Sequence, residues 1–163
     1  MHYLIDGYNL LFYSSESKSS LCSQRQSIVR SLQKEFALLH FEGTVVFDGA
    51  HQAGEQSGLS YKSPLVIAYS HHGQSADQYI LEKLESSKAA SEITVVTNDK
   101  FLSSQARGYG AHTLTIQAFL AQLERKHSSK KKRTEEKEPL AVSRRELDRL
   151  IKIFEDRLKQ DLE

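Results

Sequence analysis

Apolar residues in this chain fall into short dense runs separated by stretches in which they recur every three or four positions. The first run, His2 to Ile5, closes on Asp6-Gly7, a turn signal, and a serine-rich loop (Ser14, Ser15, Ser17, Ser19, Ser20) is expected after it. Ile28, Leu32, Phe36 and Leu39 then share one helix face, and Gly43 is expected to end that helix. Thr44 to Phe47 is a β-branched and aromatic strand stopping at Asp48-Gly49. A polar loop, His51 to Lys62, leads to a third strand, Leu65 to Tyr69. Ser75 is placed to cap a helix carrying Ile80, Leu81 and Leu84. A fourth strand, Ile93 to Val96, runs into Thr97-Asn98-Asp99. A short helix from Lys100 to about Arg107 ends at Gly108-Tyr109-Gly110, and a last strand, His112 to Leu114, precedes a helix over Ile116 to Leu123.

Strands alternating with helices predict an α/β fold with a mostly parallel sheet covered on both faces, and the nearly continuous apolar character of the strands agrees. The pattern changes after residue 127. Lys130-Lys131-Lys132-Arg133 followed by Glu135-Glu136-Lys137-Glu138 reads as a solvated linker, and Leu147, Leu150, Ile151, Phe154, Leu158 and Leu162 form one stripe on a C-terminal helix. The expected organisation is a body over 1–127, a charged linker over 128–139 and an amphipathic helix over 140–163.

With 163 residues, 39% of them apolar, the chain is long enough for one domain with a real core. No run approaches the roughly 20 apolar residues of a membrane span, and the N-terminus has no basic leader with a long apolar stretch. The single cysteine, Cys22, excludes an internal disulfide and a multi-thiolate zinc site, so a reducing cytoplasm is the expected setting. A net charge of +1 gives no global attraction to a polyanion, but residues 128–163 carry 11 of the 22 Lys and Arg. The sequence has neither GxxxxGK[ST] nor GxGxxG. Tyr8 stands where a haloacid-dehalogenase-type phosphatase needs a second Asp. His71-His72 reads as part of an exposed loop, because adjacent residues point in different directions.

The aspartates are more informative. Asp6, Asp48 and Asp99 each follow an apolar strand, and Asp77 opens the helix after the third strand. Asp favours turns and first helical turns, so each position alone has an ordinary explanation. In a parallel sheet, however, all strand carboxyl ends lie on one edge, which carries the binding crevice. Converging carboxylates raise one another's pKa unless a cation neutralises them. An all-oxygen donor set selects a hard cation, Mg²⁺ or Mn²⁺, whose usual chemistry is to activate water for phosphodiester hydrolysis.

The ordered series Leu4-Ile5-Asp6-Gly7-Tyr8-Asn9-Leu10, Val45-Val46-Phe47-Asp48-Gly49-Ala50, Ser75-Ala76-Asp77-Gln78-Tyr79-Ile80 and Val95-Val96-Thr97-Asn98-Asp99 resembles the YacP-like branch of the NYN family, PIN-like metal-dependent ribonucleases of bacteria. The match covers residues 2–125, and the basic tail with its following helix is similar too. The resemblance implies a PIN-like three-layer α/β/α fold and Mg²⁺- or Mn²⁺-dependent endonucleolytic cleavage of RNA, namely messenger RNA in association with the ribosome. It also implies that Asp6, Asp77 and Asp99 are the principal metal ligands, with Asp48 a ligand or a group behind one. Asn9 would orient Asp6 or a water, and Thr97 and Asn98 would hydrogen-bond the ligands or the scissile phosphate. Lys130, Lys131, Lys132 and Arg133 are candidates for sequence-blind phosphate contact, and Arg107 for support of single-stranded RNA. The competing expectation is a non-catalytic RNA- or ribosome-binding module with the same fold and tail.

Overall fold

The computed structural model describes residues 1–14, 20–49 and 64–134. In chain order the elements are β1 (His2–Asp6), α1 (Gly7–Ser14), α2 (Leu21–Leu39), β2 (Glu42–Phe47), β3 (Leu65–Tyr69), α3 (Ala76–Ser86), β4 (Ile93–Val96), α4 (Lys100–Gly108), β5 (His112–Leu114) and α5 (Ile116–Thr134), with a 3-10 turn at Ala90–Glu92. The five strands form one sheet in the order β3-β2-β1-β4-β5, and every pairing is parallel. The strand order reverses between β1 and β4, which places a crevice beyond the carboxyl ends of those two strands.

Side chains alternate across each strand and so divide the core into two layers. Tyr3, Ile5, Val45, Phe47 and Val96 pack with α1, α2 and α5 residues such as Leu11, Phe36 and Phe119. Leu4, Val46, Ala68 and Val95 pack on the opposite face with Ile80 and Leu84 of α3 and Leu102 and Ala106 of α4. The result is the expected three-layer α/β/α arrangement, and the described sheet is entirely parallel.

Three elements differ from the expectations. The turn at Asp6-Gly7 leads directly into α1, whose Leu10 and Leu11 are buried. The helix forms because Asp6 Oδ1 accepts the Asn9 backbone N–H and because Gly7 lets the chain pass Phe47, whose Cε1 would lie 2.5 Å from a Cβ at that position. Secondly, α2 starts at a Ser20 cap, earlier than its apolar repeat indicates, and ends with His40 in the left-handed region (φ 55°) instead of at Gly43. Gly43 lies within β2, where a Cβ would stand 2.7 Å from Phe36 Cε1 and 2.8 Å from the Tyr3 carbonyl oxygen. Thirdly, α5 runs to Thr134, so the first residues of the stretch expected as a linker, 128–139, are helical. His127 Nδ1 lies 3.2 Å from Glu35 Oε2, and Lys130 Nζ donates to the Leu38 carbonyl, which joins this helix to α2. The apolar stripe over 147–162 lies outside the described residues.

Candidate metal centre

Asp6 is the last residue of β1, and its neighbour in register, beyond the Ile5–Val96 pair, is Thr97. Residue 6 has the parity of Leu4, whose side chain packs on the α3 and α4 layer. That face also receives Asp77, in the first turn of α3, and Asp99, the N-cap of α4. Ser75 caps α3 through a capping box with Gln78, which fixes the turn that presents Asp77. Oδ1 of Asp99 accepts the backbone N–H groups of Phe101 (2.7 Å) and Leu102 (3.0 Å).

A short network holds this edge together. Thr97 is 1% exposed, and its hydroxyl donates to Asp6 Oδ2 at 3.2 Å while accepting the Asp99 backbone N–H at 3.0 Å. The other Asp6 oxygen accepts the Asn9 N–H at 3.1 Å. The side-chain oxygen of Asn9 accepts the Asn98 N–H at 3.0 Å, and the Asn98 side-chain oxygen accepts the Ile116 N–H at 2.8 Å. These contacts join the β1–α1, β4–α4 and β5–α5 turns around the crevice.

The electrostatics are those of crowded like charges. Asp6, only 6% exposed, has its pKa pushed up to about 6, first by burial and then by the charges of Asp77 and Asp99; the bonds from Asn9 and Thr97 oppose the rise. The Asp77 carboxyl is also raised, by burial and then by Asp99. Asp77 accepts no hydrogen bond from the described residues, and neither does Oδ2 of Asp99. Two buried or half-buried carboxylates facing a third, with acceptor oxygens to spare, match the chemistry of a hard divalent cation. Among the described residues no three His, Cys, Asp or Glu side chains are gathered tightly enough to grip an ion as they stand.

The other predicted residues are placed differently. Asp48 follows β2, and the charges acting on Asp6 from the described residues are those of Asp77 and Asp99. Thr97 and Asn98 use their side-chain acceptors within the chain, as supports for the crevice. Arg107 lies in the last turn of α4, about 12 Å along the helix from Asp99, and donates to Thr113 Oγ1 at 3.0 Å. Lys130 stands about 21 Å along α5 from Ile116, against the C-terminal end of α2 at the opposite edge of the sheet. Lys131, Lys132 and Arg133 follow on the same helix.

Two features of this edge escape a sequence reading. Arg25 of α2 is buried, with its guanidinium 5.7 Å and 5.8 Å from the ring centres of Phe47 and Tyr69 and 3.4 Å from the Tyr8 hydroxyl. Its place between Ile28 and Cys22 signals nothing by itself. Phe101 is exposed beside Asp99, and the available signal is that position 101 falls off the 102/106 face that α4 buries.

No curated protein matches this sequence. The fold is shared with the crystal structure of Rae1 (YacP) from Bacillus subtilis: the W164L mutant aligns with TM-score 0.63 and 19% identity over 99% of this chain and 98% of that one. A second Rae1 (YacP) crystal structure from the same organism aligns with TM-score 0.59 and 19% identity, covering 98% of this chain and 91% of its own. The sequence profile of the YacP-like NYN domain matches residues 3–162, from the first strand into the C-terminal tail. The profile therefore spans the D-G-Y-N turn at Asp6, the Ser-Ala-Asp helix start at Asp77 and the Thr-Asn-Asp cap at Asp99, and the chain belongs to the YacP-like NYN domain family.

Proposed function

We propose that the chain is a divalent-metal-dependent endoribonuclease centred on Asp6, Asp77 and Asp99. Membership of the NYN domain family supports a nuclease-type, RNA-related function. The observation that carries the reading to a site is that carboxylates from the end of β1, the first turn of α3 and the N-cap of α4 meet at the switch point of the sheet, where the charges of Asp77 and Asp99 both act on the buried Asp6. A buried carboxylate facing two half-buried ones is costly without a counter-charge.

Asp6, Asp77 and Asp99, with Asp48 at the rim, would hold Mg²⁺ or Mn²⁺. The cation, when bound, supplies Lewis-acid activation of water and neutralises charge on the phosphate. The chain's own residues set the geometry. Thr97 orients Asp6 and the start of α4 through one hydroxyl, the α4 N-terminus fixes Asp99, and Asn9 joins the β1 and β4 turns. In this reading residues 1–127 form the nuclease body. Lys130 to Arg133 extend the RNA footprint through charge, at the edge away from the carboxylates. A messenger RNA substrate met on the ribosome, and hence a cytoplasmic setting, is supported by the motif resemblance.

The test is cleavage of labelled RNA, free and on translating ribosomes, by wild type and Asp77→Asn in Mn²⁺ or EDTA. Cutting that needs both the ion and Asp77 supports the proposal, and the form of RNA that is cut gives the context. Binding of RNA or ribosomes without any cutting would instead make the chain a binding module.

A further inference from the structure

Phe101 is the most exposed of the large apolar side chains among the described residues, with 72% of its surface facing solvent. It stands in the first turn of α4, and its backbone N–H is held by Oδ1 of Asp99 at 2.7 Å, so the root of the ring is fixed relative to that carboxylate. Leu102 and Ala106 bury the inner face of α4, so the helix docks without Phe101. Leaving a ring of this size in water forgoes the free energy that burial would provide, and nothing in the packing explains its position. Phe101 has no ring partner among the described residues. By contrast, the exposed Phe12 already stacks on Tyr8 at 5.8 Å, and Tyr109 lies at the far end of α4. The preceding residue, Lys100, is also exposed, in the same first turn of α4.

A solvated aromatic face with an exposed lysine in the same turn matches how proteins hold single-stranded nucleic acid: the base stacks on the ring and the backbone meets the charge. Resting on the nuclease reading of the carboxylates, we propose that Phe101 is the stacking platform for a nucleobase of single-stranded RNA next to the bond that is cut, with Lys100 taking the neighbouring phosphate. Stacking accepts any base, so this contact selects for strandedness and not for sequence. A paired base has no free face to offer, and duplex RNA is excluded from the platform.

The chain contains no tryptophan, so Phe101→Trp places a single indole reporter at this point. In full-length protein also carrying Asp77→Asn, to prevent turnover with Mn²⁺ present, a fluorescein-labelled oligouridylate should quench the indole saturably, and an RNA duplex of equal length should not. In anisotropy titrations with the same oligonucleotide, Phe101→Ala and Phe101→Leu should weaken binding about 5- to 150-fold, while Phe101→Tyr and Phe101→Trp stay within about twofold. With Asp77 restored, cleavage of single-stranded RNA should fall in the same order, at unchanged melting temperature. A Leu variant that binds like wild type, or quenching by duplex as strong as by single strand, would overturn the platform. If wild type cuts RNA and all four variants bind and cut like it, the platform fails while the nuclease reading stands. Wild type that neither binds nor cuts RNA removes the nuclease reading itself.

Discussion

The hydroxyl of Thr97 donates to Oδ2 of Asp6 across 91 residues of sequence, and the Thr97 hydroxyl oxygen in turn accepts the backbone N–H of Asp99. One buried side chain thus sets the position of one carboxylate and the origin of the helix that carries another. Thr97→Val keeps the shape and removes both bonds, leaving Asp6 a donor short and the Asp99 N–H unpaired. A stability loss of about 1–3 kcal/mol is expected, together with a fall in RNA cleavage. Thr97→Ser should recover most of both. Chemical denaturation and cleavage assays on the two variants separate this positioning role from simple core packing, for which Val would be the better replacement.

Asp6 makes the metal-free protein pH-dependent. Its pKa rises from 3.8 unfolded to about 6 folded, so the folded state holds the proton more tightly. Its contribution to stability is complete below 3.8 and is lost as pH rises through about 6, a change of about 3 kcal/mol. In EDTA, Asp6→Asn should therefore gain stability relative to wild type as pH is raised from about 4 to about 7.5. Mn²⁺ should raise the wild-type melting temperature more at the upper end than at the lower, because protons compete for the same oxygens. A melting-temperature difference that stays flat across this range would mean that the carboxylate is solvated in both states.

Asp77 and Asp99 carry like charge but different local duties. Asp77→Asn gives up no hydrogen bond to the described residues and relieves repulsion, so cleavage should be abolished with the melting temperature unchanged or slightly raised. Asp99 also caps α4. Asn caps a helix about as well as Asp, whereas Ala costs about 1 kcal/mol. Asp99→Asn and Asp99→Ala should thus be equally inactive but separable by thermal melts. Equal melting curves would show that the cap adds nothing here.

Gly7 lies where β1 turns into α1, with a Cβ position 2.5 Å from Phe47 Cε1 and 2.8 Å from the Val46 carbonyl oxygen. Gly7→Ala should cost about 1–3 kcal/mol by overpacking. Adding Phe47→Leu should make the alanine less costly than it is alone, since it removes the ring but not the carbonyl. Urea unfolding of the four members of this cycle gives the coupling directly.

Much of the fold is legible in the order of elements. The runs at 2–5, 44–47, 65–69, 93–96 and 112–114 all lie within strands, because runs this short and apolar on both sides have few other places to go. Helix limits were less legible. α1 hides in Gly7-Tyr8-Asn9-Leu10-Leu11, where the turn signal of Asp6-Gly7 is real but serves as a helix start once Asp6 accepts the Asn9 N–H. Gly43 looks like a helix stop, yet its small size is needed for the close pass of Phe36 and Tyr3. The charged run after residue 127 looks like a linker, yet α5 continues to Thr134 and contacts α2 through His127 and Lys130.

By itself the sequence determined that Asp6, Asp48, Asp77 and Asp99 would share one edge, because every strand of a parallel sheet points its carboxyl end the same way. Which of them share one electric field was decided by the tertiary structure. Strand order puts β4 beside β1, and the parity of residue 6 turns its carboxyl toward α3 and α4, so Asp77 and Asp99 act on Asp6. It was also tertiary packing that buried Thr97 between the Asp6 carboxylate and the Asp99 backbone N–H and left Phe101 in water beside Asp99. Local pattern says where chain segments begin and end, but burial and charge coupling depend on neighbours 91 residues away in sequence and about 3 Å away in space.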